Sequence, residues 1–278
     1  MPELPEVETI RRYLAPVLAG QRIVKTQVLL PRQIAYPATE EFTARLQDAT
    51  ILHVRRRGKY LLLGLSADLT LIVHLRMTGS LVYEQEAFEP DAHTRVIFLL
   101  SSGNALVFRD TRTFGRLYAL YPHELAEAKG LAKLGPEPLT PSFTAEALME
   151  QAKRTTIAIK PFLLDQKRVA GLGNIYVDEA LFVAGLHPQR RASSLRIEEW
   201  QGLKEAIEVV LRAGLADGGT TFRDYRNGSG GQGHHQEHLW VYDREGQPCR
   251  RCGTPIQKIV VGGRGTHFCP HCQGEVMP

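Results

Sequence analysis

All four cysteines of this 278-residue chain lie in its last thirty residues, in two pairs of the form Cys-x-x-Cys. The pairs are CRRC (Cys249, Cys252) and CPHC (Cys269, Cys272), with sixteen residues between the inner two. This spacing is typical of two knuckles that present four thiolates to Zn²⁺ on a hairpin too small to hold its own core. Two disulfides or a redox motif are the alternatives, but there is no export signal and redox pairs do not normally occur twice. We therefore predict one structural zinc ion with no open coordination position, and no catalytic metal.

The segment KIVVGGRGTHF between the two pairs reads as strand, tight turn and strand. Arg264 lies at the tip between glycines, where it could reach a phosphate bidentately. Zinc ribbons often have basic tips without that role, so both interpretations stand. We expect His267 and His271 to face solvent or nucleic acid, since four sulfurs already complete the metal site.

The rest of the chain changes its hydrophobic period near residue 122. Residues 20 to 120 contain β-branched and apolar runs, with SSGN as a hairpin turn, and predict a sandwich of sheets. After residue 122 the stretches HELAEAKGLAKLG, FTAEALMEQAKR, KPFLLDQKRVAG, NIYVDEALFVAGL and LRIEEWQGLKEAIEVVLRAGL all fit amphipathic helices. The glycine-rich GGTTFRDYRNGSGGQGHH follows and predicts a long functional loop.

The amino terminus, MPELPEVETIRRYL, predicts a helix that starts almost at once. Pro5 suits a first helical turn, Glu6 and Glu8 complement the helix dipole, and Val7, Ile10 and Leu14 share one face. We therefore expect an anchored terminus.

Composition excludes some classes of protein. With 43% hydrophobic residues the chain can build sizeable cores, and it has neither an apolar run of membrane-spanning length nor a signal peptide, which predicts an intracellular protein. The net charge of +4 is too small to identify a nucleic-acid binder. The cluster Arg55, Arg56, Arg57 and Lys59 fits a solvated strand face as well as a phosphate contact.

Several motifs together resemble the bacterial formamidopyrimidine-DNA glycosylase family, which repairs 8-oxoguanine. They are MPELPEVE, GKYLLL, HLRMTGSL, DTRTFG, LLDQKRVAGLGNIYVDEALFVAGLHP and the terminal CxxCGTPI with GGRGTHFCPHCQ, and they follow the family's order along the chain. The resemblance implies an α+β multidomain protein. Its parts would be an amino-terminal helix with a β-sandwich (1–122), a helical helix-two-turn-helix domain (123–220), a lesion-capping loop (221–238) and a zinc ribbon (239–278).

The family's chemistry implies roles for particular residues. Removal of Met1 would make Pro2 the nucleophilic amine, Glu3 the acid/base residue and Glu6 a supporting carboxylate. Lys59 would contact a phosphate and donate a proton, and Arg264 would complete the catalytic set. The implied reaction is excision of oxidised purines through a Schiff base on Pro2, followed by β,δ-elimination.

The family also implies residues that hold the DNA. Met77, Arg112 and Phe114 would fill the space left by a flipped nucleotide, although in isolation Met77 and Phe114 would more often be core residues. Asn174 would bind phosphate, with a plain helix cap as the alternative. Further contacts would come from His74, His93 and Arg154, where AKRTTIAIKP departs from the more basic sequences of relatives. Arg223 and Tyr225 would belong to the lesion loop.

The expected partner is double-stranded DNA with oxidised purines or abasic sites, bound by a monomer in the bacterial cytoplasm with the nucleoid. Three other interpretations remain. An oxidised-pyrimidine glycosylase shares the scaffold and the amino-terminal proline. A non-catalytic damage-binding protein would not need Pro2, Glu3 and Lys59, and a zinc-ribbon module of transcription or translation would leave the sheet domain unexplained.

Overall fold

A computed structural model describes residues 1–85, 88–221 and 227–274. The chain divides into two compact units, each built from two stretches of sequence. The first unit is Met1–Ala132 with Gly214–Gln236, and the second is Lys133–Ala213 with Glu237–Pro278. The four-part division expected from the sequence stays a prediction. Among the described residues, no helix is both long and apolar enough to cross a membrane.

Two sheets form the body of the first unit. One sheet has the spatial order β1 (Ile23–Val28), β7 (Thr94–Leu100), β8 (Ala105–Asp110) and β6 (Gly79–Glu84). The other has the order β2 (Ile34–Tyr36), β9 (Arg116–Leu120), β5 (Thr70–His74), β4 (Tyr60–Leu65) and β3 (Ile51–Arg57). All pairings are antiparallel except the parallel pair β2–β9. Both sheets contribute to one hydrophobic core, as the predicted sandwich requires.

Helices close this core. Helix α1 (Leu4–Leu18) places Val7, Ile10 and Leu14 in the core with no exposed surface, which confirms the predicted apolar face. Burial of each such side chain contributes roughly 1.5–3 kcal/mol. Helix α2 (Thr39–Leu46) buries Phe42 in the same core.

The polar side of α1 is fixed by Glu8. Its carboxylate accepts hydrogen bonds from Arg11 at 2.8 Å and from Arg56 of β3 at 3.1 Å. Burial by itself would raise the pKa of Glu8, but the bonds and charges of Arg11 and Arg56 lower it to about 2. Arg56 is therefore a structural residue that pairs with Glu8, whereas its neighbour Arg55 is exposed. The members of the basic cluster thus do not share one role.

The segment HELAEAKGLAKLG is less helical than its pattern predicts. It forms a 3₁₀ helix at Pro122–Glu127 and the one-turn helix α3 (Lys129–Ala132). Glu124 fixes the start of the 3₁₀ helix. Its carboxylate accepts the amide of Tyr121 at 3.0 Å and a hydrogen bond from the guanidinium of Arg45 on α2. These bonds hold the segment against α2 rather than in a longer free helix.

The second unit is helical and ends in a hairpin. Its helices are α4 (Ala145–Ala152), α5 (Ile159–Leu164), α6 (Asn174–Val183) and α7 (Ile197–Ala216), of which the last extends into the first unit's sequence. The rings of Phe162 and Trp200 pack in its interior with centroids 5.4 Å apart. The hairpin consists of β10 (Gln257–Val261) and β11 (Arg264–Phe268), as predicted.

Two helices of the second unit differ from the sequence prediction. Helix α5 stops at Leu164, and turns follow where KPFLLDQKRVAG suggested a continuous helix. The prediction that α6 is amphipathic is wrong, because residues 175–182 are all buried. Its polar members Asp178 and Glu179 lie inside the protein with hydrogen-bond partners, so they do not mark a solvent face.

The ion pairs of Glu8 generate a stability prediction. We expect Glu8→Gln to lower the free energy of unfolding at neutral pH by about 1–3 kcal/mol, because Arg11 and Arg56 lose a charged, largely buried partner. The folded pKa lies below the ordinary 4.5. The stabilisation is therefore complete above pH 4.5 and is lost as the pH falls from there towards 2. Urea unfolding across this window measures it.

Glu205→Gln is the matched control, since Glu205 is an exposed acid on α7. A difference between Glu8→Gln and the unmodified protein that stays constant with pH would contradict the assignment.

Candidate active site and nucleic-acid contacts

The start of α1 is buried although it lies at the chain terminus. Pro2 is buried and Glu3 and Glu6 are almost completely covered, whereas Met1 is exposed. Glu3 is the N-cap of the helix, and its backbone amide donates to Glu6 Oε2 at 2.7 Å. That bond is the Glu6 half of a capping box and fixes the direction in which Pro2 leaves the helix.

The other oxygen of Glu6 binds a distant part of the chain. Oε1 accepts the backbone amide of Thr220 at 2.8 Å. Gly219 precedes it with φ +90, and a Cβ there would lie only 3.0 Å from Glu6 Cγ, so this approach requires glycine. Glu6 thus joins the amino terminus to the start of the glycine-rich stretch.

Lys59 lies in the two-residue turn between β3 and β4. Gly58 has φ +56 and Arg57 pairs with Tyr60, so the turn is tight and its geometry is fixed by the ladder. The side chain of Arg56 donates to the carbonyl of Gly58 at 2.9 Å. Lys59 is 4% exposed, which makes it a nearly buried cation rather than a solvated strand lysine.

His74 lies across from this turn on β5, where it pairs with Tyr60. Its ring meets the Tyr60 ring edge-on, and its Nδ1 accepts the amide of Arg76 at 3.0 Å. Burial, followed by the charges of Arg76 and Lys59, lowers the pKa of His74 to about 3. The imidazole is therefore neutral at physiological pH and has Nε2–H as its donor.

The three predicted void-filling residues lie outside the core. Met77 is 36% exposed in the turn between β5 and β6, and Phe114 is 48% exposed in the loop after β8. Arg112 is exposed in the same loop, and its guanidinium carbon lies 4.9 Å from the centroid of the Phe114 ring. The structure therefore brings a cation and an aromatic ring together and leaves the methionine accessible, which excludes the core alternative for Met77 and Phe114.

Two further predicted DNA contacts, His93 and Arg154, are accessible. His93 is exposed just before β7, and Arg154 is exposed after α4, 3.9 Å from Glu150. Arg223 and Tyr225, assigned to the lesion loop, lie outside the described residues.

In the second unit, Asn174 and the hairpin are connected. Gly173 is the N-cap of α6 and Asn174 is its first residue, so Asn174 is not the cap. Its side-chain amide donates instead to the carbonyl of Gly265 at 2.9 Å, directly beside the exposed Arg264. Gly262 and Gly263, with φ +56 and +74, form the two-residue turn that ends at Arg264.

A buried ion pair supports this connection. Lys160 Nζ lies 2.6 Å from Asp178 Oδ1 and also donates to the Gly265 carbonyl at 2.9 Å. Asp178 Oδ2 accepts the amide of His267 at 2.9 Å. His267 is buried with its ring against Tyr242, so the expectation that it faces solvent is wrong, whereas His271 is exposed as expected.

Glu179 is a second buried carboxylate that the sequence analysis missed. It accepts the backbone amides of Trp240, Val241 and Tyr242 at 2.7 to 2.9 Å. The signal available in the sequence was the Asp-Glu pair inside the otherwise apolar NIYVDEALFV.

The four cysteine sulfurs form one cluster, with all Sγ atoms within 4.8 Å of one another. Cys249 and Cys272 are 3.9 Å apart and Cys252 and Cys269 are 3.5 Å apart. A tetrahedral centre with Zn–S bonds of about 2.3 Å has S–S separations of about 3.8 Å. The cluster therefore fits one structural zinc ion.

Models of known protein families match most of the chain. Residues 1–117 match the model of the formamidopyrimidine-DNA glycosylase N-terminal domain. Residues 134–226 match the formamidopyrimidine-DNA glycosylase H2TH domain, and residues 246–274 match the zinc finger found in FPG and IleRS. The zinc site seen in the sulfur geometry is thus a zinc finger of known type.

Individual relatives are similar over their whole length. A formamidopyrimidine-DNA glycosylase of Pelotomaculum thermopropionicum is 50% identical over 98% of this chain and 99% of its own. The MutM (FPG) protein of Thermus thermophilus is 43% identical with a TM-score of 0.89 over 99% of each chain. A Lactococcus lactis FPG mutant in complex with Fapy-dG containing DNA is 37% identical with a TM-score of 0.92, over 99% of this chain and 100% of its own.

Family models, sequence identity and backbone similarity thus agree along the chain. The chain belongs to the formamidopyrimidine-DNA glycosylase family, the DNA glycosylases of base excision repair, for which cleavage at abasic sites is a typical second activity.

Proposed function

We propose that this DNA glycosylase excises oxidised purines, namely 8-oxoguanine and formamidopyrimidines, and that the amine of Pro2 is its nucleophile. The observation that carries the proposal is the burial of Pro2 directly before a helix whose start is fixed by Glu3 and Glu6. Chain termini are usually poorly ordered, so a buried Pro2 held at the start of a helix supports a role for its nitrogen. The relative solved with Fapy-dG containing DNA supports the class of lesion.

The proposed chemistry begins with the removal of Met1. While Met1 is attached, the nitrogen of Pro2 is an amide nitrogen without a basic lone pair. Once freed, it is a secondary amine with a pKa near 8, so an appreciable fraction is unprotonated at neutral pH. The amine attacks the anomeric carbon and loses its proton, and the base leaves with the electron pair of its glycosidic bond. The bond between the anomeric carbon and the ring oxygen then breaks, the oxygen takes up a proton, and an iminium links Pro2 to the opened sugar. The iminium acidifies the adjacent carbon, which allows β-elimination of the 3′ phosphate and then δ-elimination of the 5′ phosphate.

Glu3 and Lys59 supply the proton transfers in this scheme. The carboxyl of Glu3 acts as acid/base at the sugar oxygen and the departing base. Lys59, nearly buried in its turn, donates a proton during elimination and contacts a phosphate. Glu6 supports Glu3 by accepting its backbone amide, and His74 offers its Nε2–H as a neutral donor to phosphate.

A base inside a duplex cannot reach a fixed amine, so the nucleotide has to be flipped out. Met77 fills the resulting space as an apolar plug, Arg112 bonds the orphaned base, and Phe114 is the wedge between base steps. Their exposure on turns supports these roles, because a core residue could not enter DNA. Arg223 and Tyr225 are assigned to recognition of the extruded base, as the family resemblance implies.

Phosphate binding by the second unit rests on Arg264 and Asn174. Arg264 is exposed, and the carbonyl of the next residue, Gly265, is bonded to Asn174 and Lys160, so the backbone that carries the guanidinium is held before DNA arrives. His93 and Arg154, which are both exposed, are further phosphate contacts. The zinc ion holds the hairpin and takes no part in the chemistry.

The protein is proposed to act as a monomer in the bacterial cytoplasm, with the nucleoid, as its bacterial relatives suggest. An oxidised-pyrimidine glycosylase of the same scaffold is the second candidate. The combination of MPELPEVE with Met77, Arg112 and Phe114 favours the purine enzyme.

Reductive trapping tests the nucleophile. Incubation with a duplex that contains 8-oxoguanine opposite cytosine, followed by borohydride, should give a covalent adduct on the Pro2 peptide, located by mass spectrometry. Protein that retains Met1 should give none, and Pro16→Ala, an exposed proline on the same helix, should trap like the unmodified chain. An adduct on a lysine would refute the assignment to Pro2, and an adduct formed only with an oxidised pyrimidine would favour the second candidate.

Removal of the Arg264 charge should weaken DNA binding at every sequence. Because one phosphate contact is lost, the slope of log K against log salt should become shallower by about 1 for Arg264→Ala. Fluorescence anisotropy with an abasic-site duplex over a range of KCl concentrations measures this slope. Arg196→Ala is the control, since Arg196 is 77% exposed in the same unit and has no proposed contact. Equal effects of the two variants would contradict a specific role for Arg264.

A structural metal and a catalytic metal can be distinguished by the conditions under which the metal is removed. A chelator added at assay time should leave turnover unchanged over minutes, because the four thiolates bind zinc without an open position. Stripping zinc under denaturing conditions should abolish DNA binding, because the hairpin loses its support. Immediate loss of activity that fresh Mg²⁺ restores would show that the chemistry uses a metal.

A further inference from the structure

The turn that carries Met77 and the loop that carries Arg112 and Phe114 are joined by one buried carboxylate. Asp110 is the last residue of β8 and is only 1% exposed. Its Oδ1 accepts the hydroxyl of Thr78 at 2.6 Å. Its Oδ2 accepts the amide of Gly115 at 2.8 Å and the side-chain amide of Gln33 at 2.7 Å. The carboxylate therefore binds a group from each of three separate segments.

Thr78 completes the connection between the two loops. Its hydroxyl oxygen, besides donating to Asp110, accepts the backbone amide of Arg112 at 3.0 Å. Met77 directly precedes Thr78, and Phe114 directly precedes Gly115. Each of the three exposed side chains is thus either bonded to this network through its own backbone or adjacent to a residue that is.

The two loops are also conformationally constrained. Arg76 and Thr113 have φ +58 and +60, a left-handed conformation that costs free energy for residues other than glycine. Gly115 has no room for a side chain, since a Cβ would lie 2.5 Å from Phe108 Cζ and 3.1 Å from Asp110 Oδ2. Loops in such conformations keep them only where surrounding bonds impose them, and the bonds of Asp110 and Thr78 meet that need.

We propose that Asp110 and Thr78 are positioning residues that hold the plug, the cation and the wedge as one rigid set. Neither touches the substrate. Their effect is to make the three side chains enter the base stack in one fixed geometry, which governs opening of the damaged pair and recognition of the opposite base. The inference rests on the void-filling roles given under the proposed function.

Thr78→Val tests the network, because it keeps the shape of the side chain and removes the hydroxyl. We expect single-turnover excision of 8-oxoguanine from duplex DNA to fall roughly 10- to 100-fold, the loss that follows from misplaced groups. Preference for cytosine over adenine opposite the lesion should fall as well, since Arg112 is released. Cleavage of a single-stranded abasic oligonucleotide, which needs no flipping, should stay within about twofold because the Pro2 chemistry is intact.

Four comparisons make this test specific. Thr78→Ser keeps the hydroxyl and should restore duplex excision, and Thr26→Val removes a hydroxyl on β1 that has no partner among the described residues and should have no effect. Asp110→Asn keeps volume and should resemble Thr78→Val. Because both act through one network, the double variant should lose less than the product of the two single losses. Thermal unfolding of each variant identifies any that fail to fold.

The outcomes separate this inference from the proposed function. Duplex excision by Thr78→Val and Asp110→Asn equal to that of Thr78→Ser would overturn the positioning role, as would equal losses on duplex and single-stranded substrates. Met77→Ala, Arg112→Ala and Phe114→Ala are made in parallel. If none of them slows duplex excision, the void-filling assignment is wrong and the positioning role falls with it. If they do and Thr78→Val does not, only the positioning role is wrong.

Discussion

The carboxylate of Glu6 connects the start of the first unit to Thr220, which lies 214 residues further along the chain. Glu6 accepts the amide of Glu3 with one oxygen and the amide of Thr220 with the other. Both bonds are buried, so neither amide can replace its partner with water unless this part of the protein unfolds. The position of Pro2, and therefore the geometry of the proposed nucleophile, depends on this bridge. Burial of the apolar face of α1 supplies most of the stability, whereas the bonds of Glu6 fix the direction in which Pro2 leaves the helix.

The same device recurs elsewhere in the chain. Asp110 gathers two loops and Gln33, Asp178 joins Lys160 to the hairpin, and Glu179 binds three consecutive amides. A buried carboxylate is costly unless every oxygen is satisfied, and each of these accepts at least two hydrogen bonds. Such groups do not greatly increase stability over an apolar core. They select one arrangement among many of similar packing energy, which is what a site that must fit DNA requires.

The sequence predicted those features that depend on local period and spacing. The β-rich region, the buried face of α1, the hairpin and the four-cysteine cluster all follow from short-range patterns. What it missed depends on partners that are distant in sequence. Asp178 and Glu179 resemble surface acids until Lys160 and residues 240–242 are known, and Arg56 resembles its neighbour Arg55 until Glu8 is placed. The return of residues 214–236 to the first unit could not be predicted from composition either. Roles of individual residues came from the family resemblance and not from periodicity.

The carboxy-terminal part of the second unit is held in place in two different ways. Residues up to Tyr242 are attached to α6 by a carboxylate that needs no ion, whereas Cys249 to Cys272 are closed by the four thiolates. A damaged or empty zinc centre would therefore release the two cysteine knuckles, while Gly265 and His267 of the hairpin stay bonded to Asn174, Lys160 and Asp178. Loss of the metal is in this sense a local melting of the knuckles, and the bonded hairpin and helices would remain as a template on which the knuckles can refold when zinc returns.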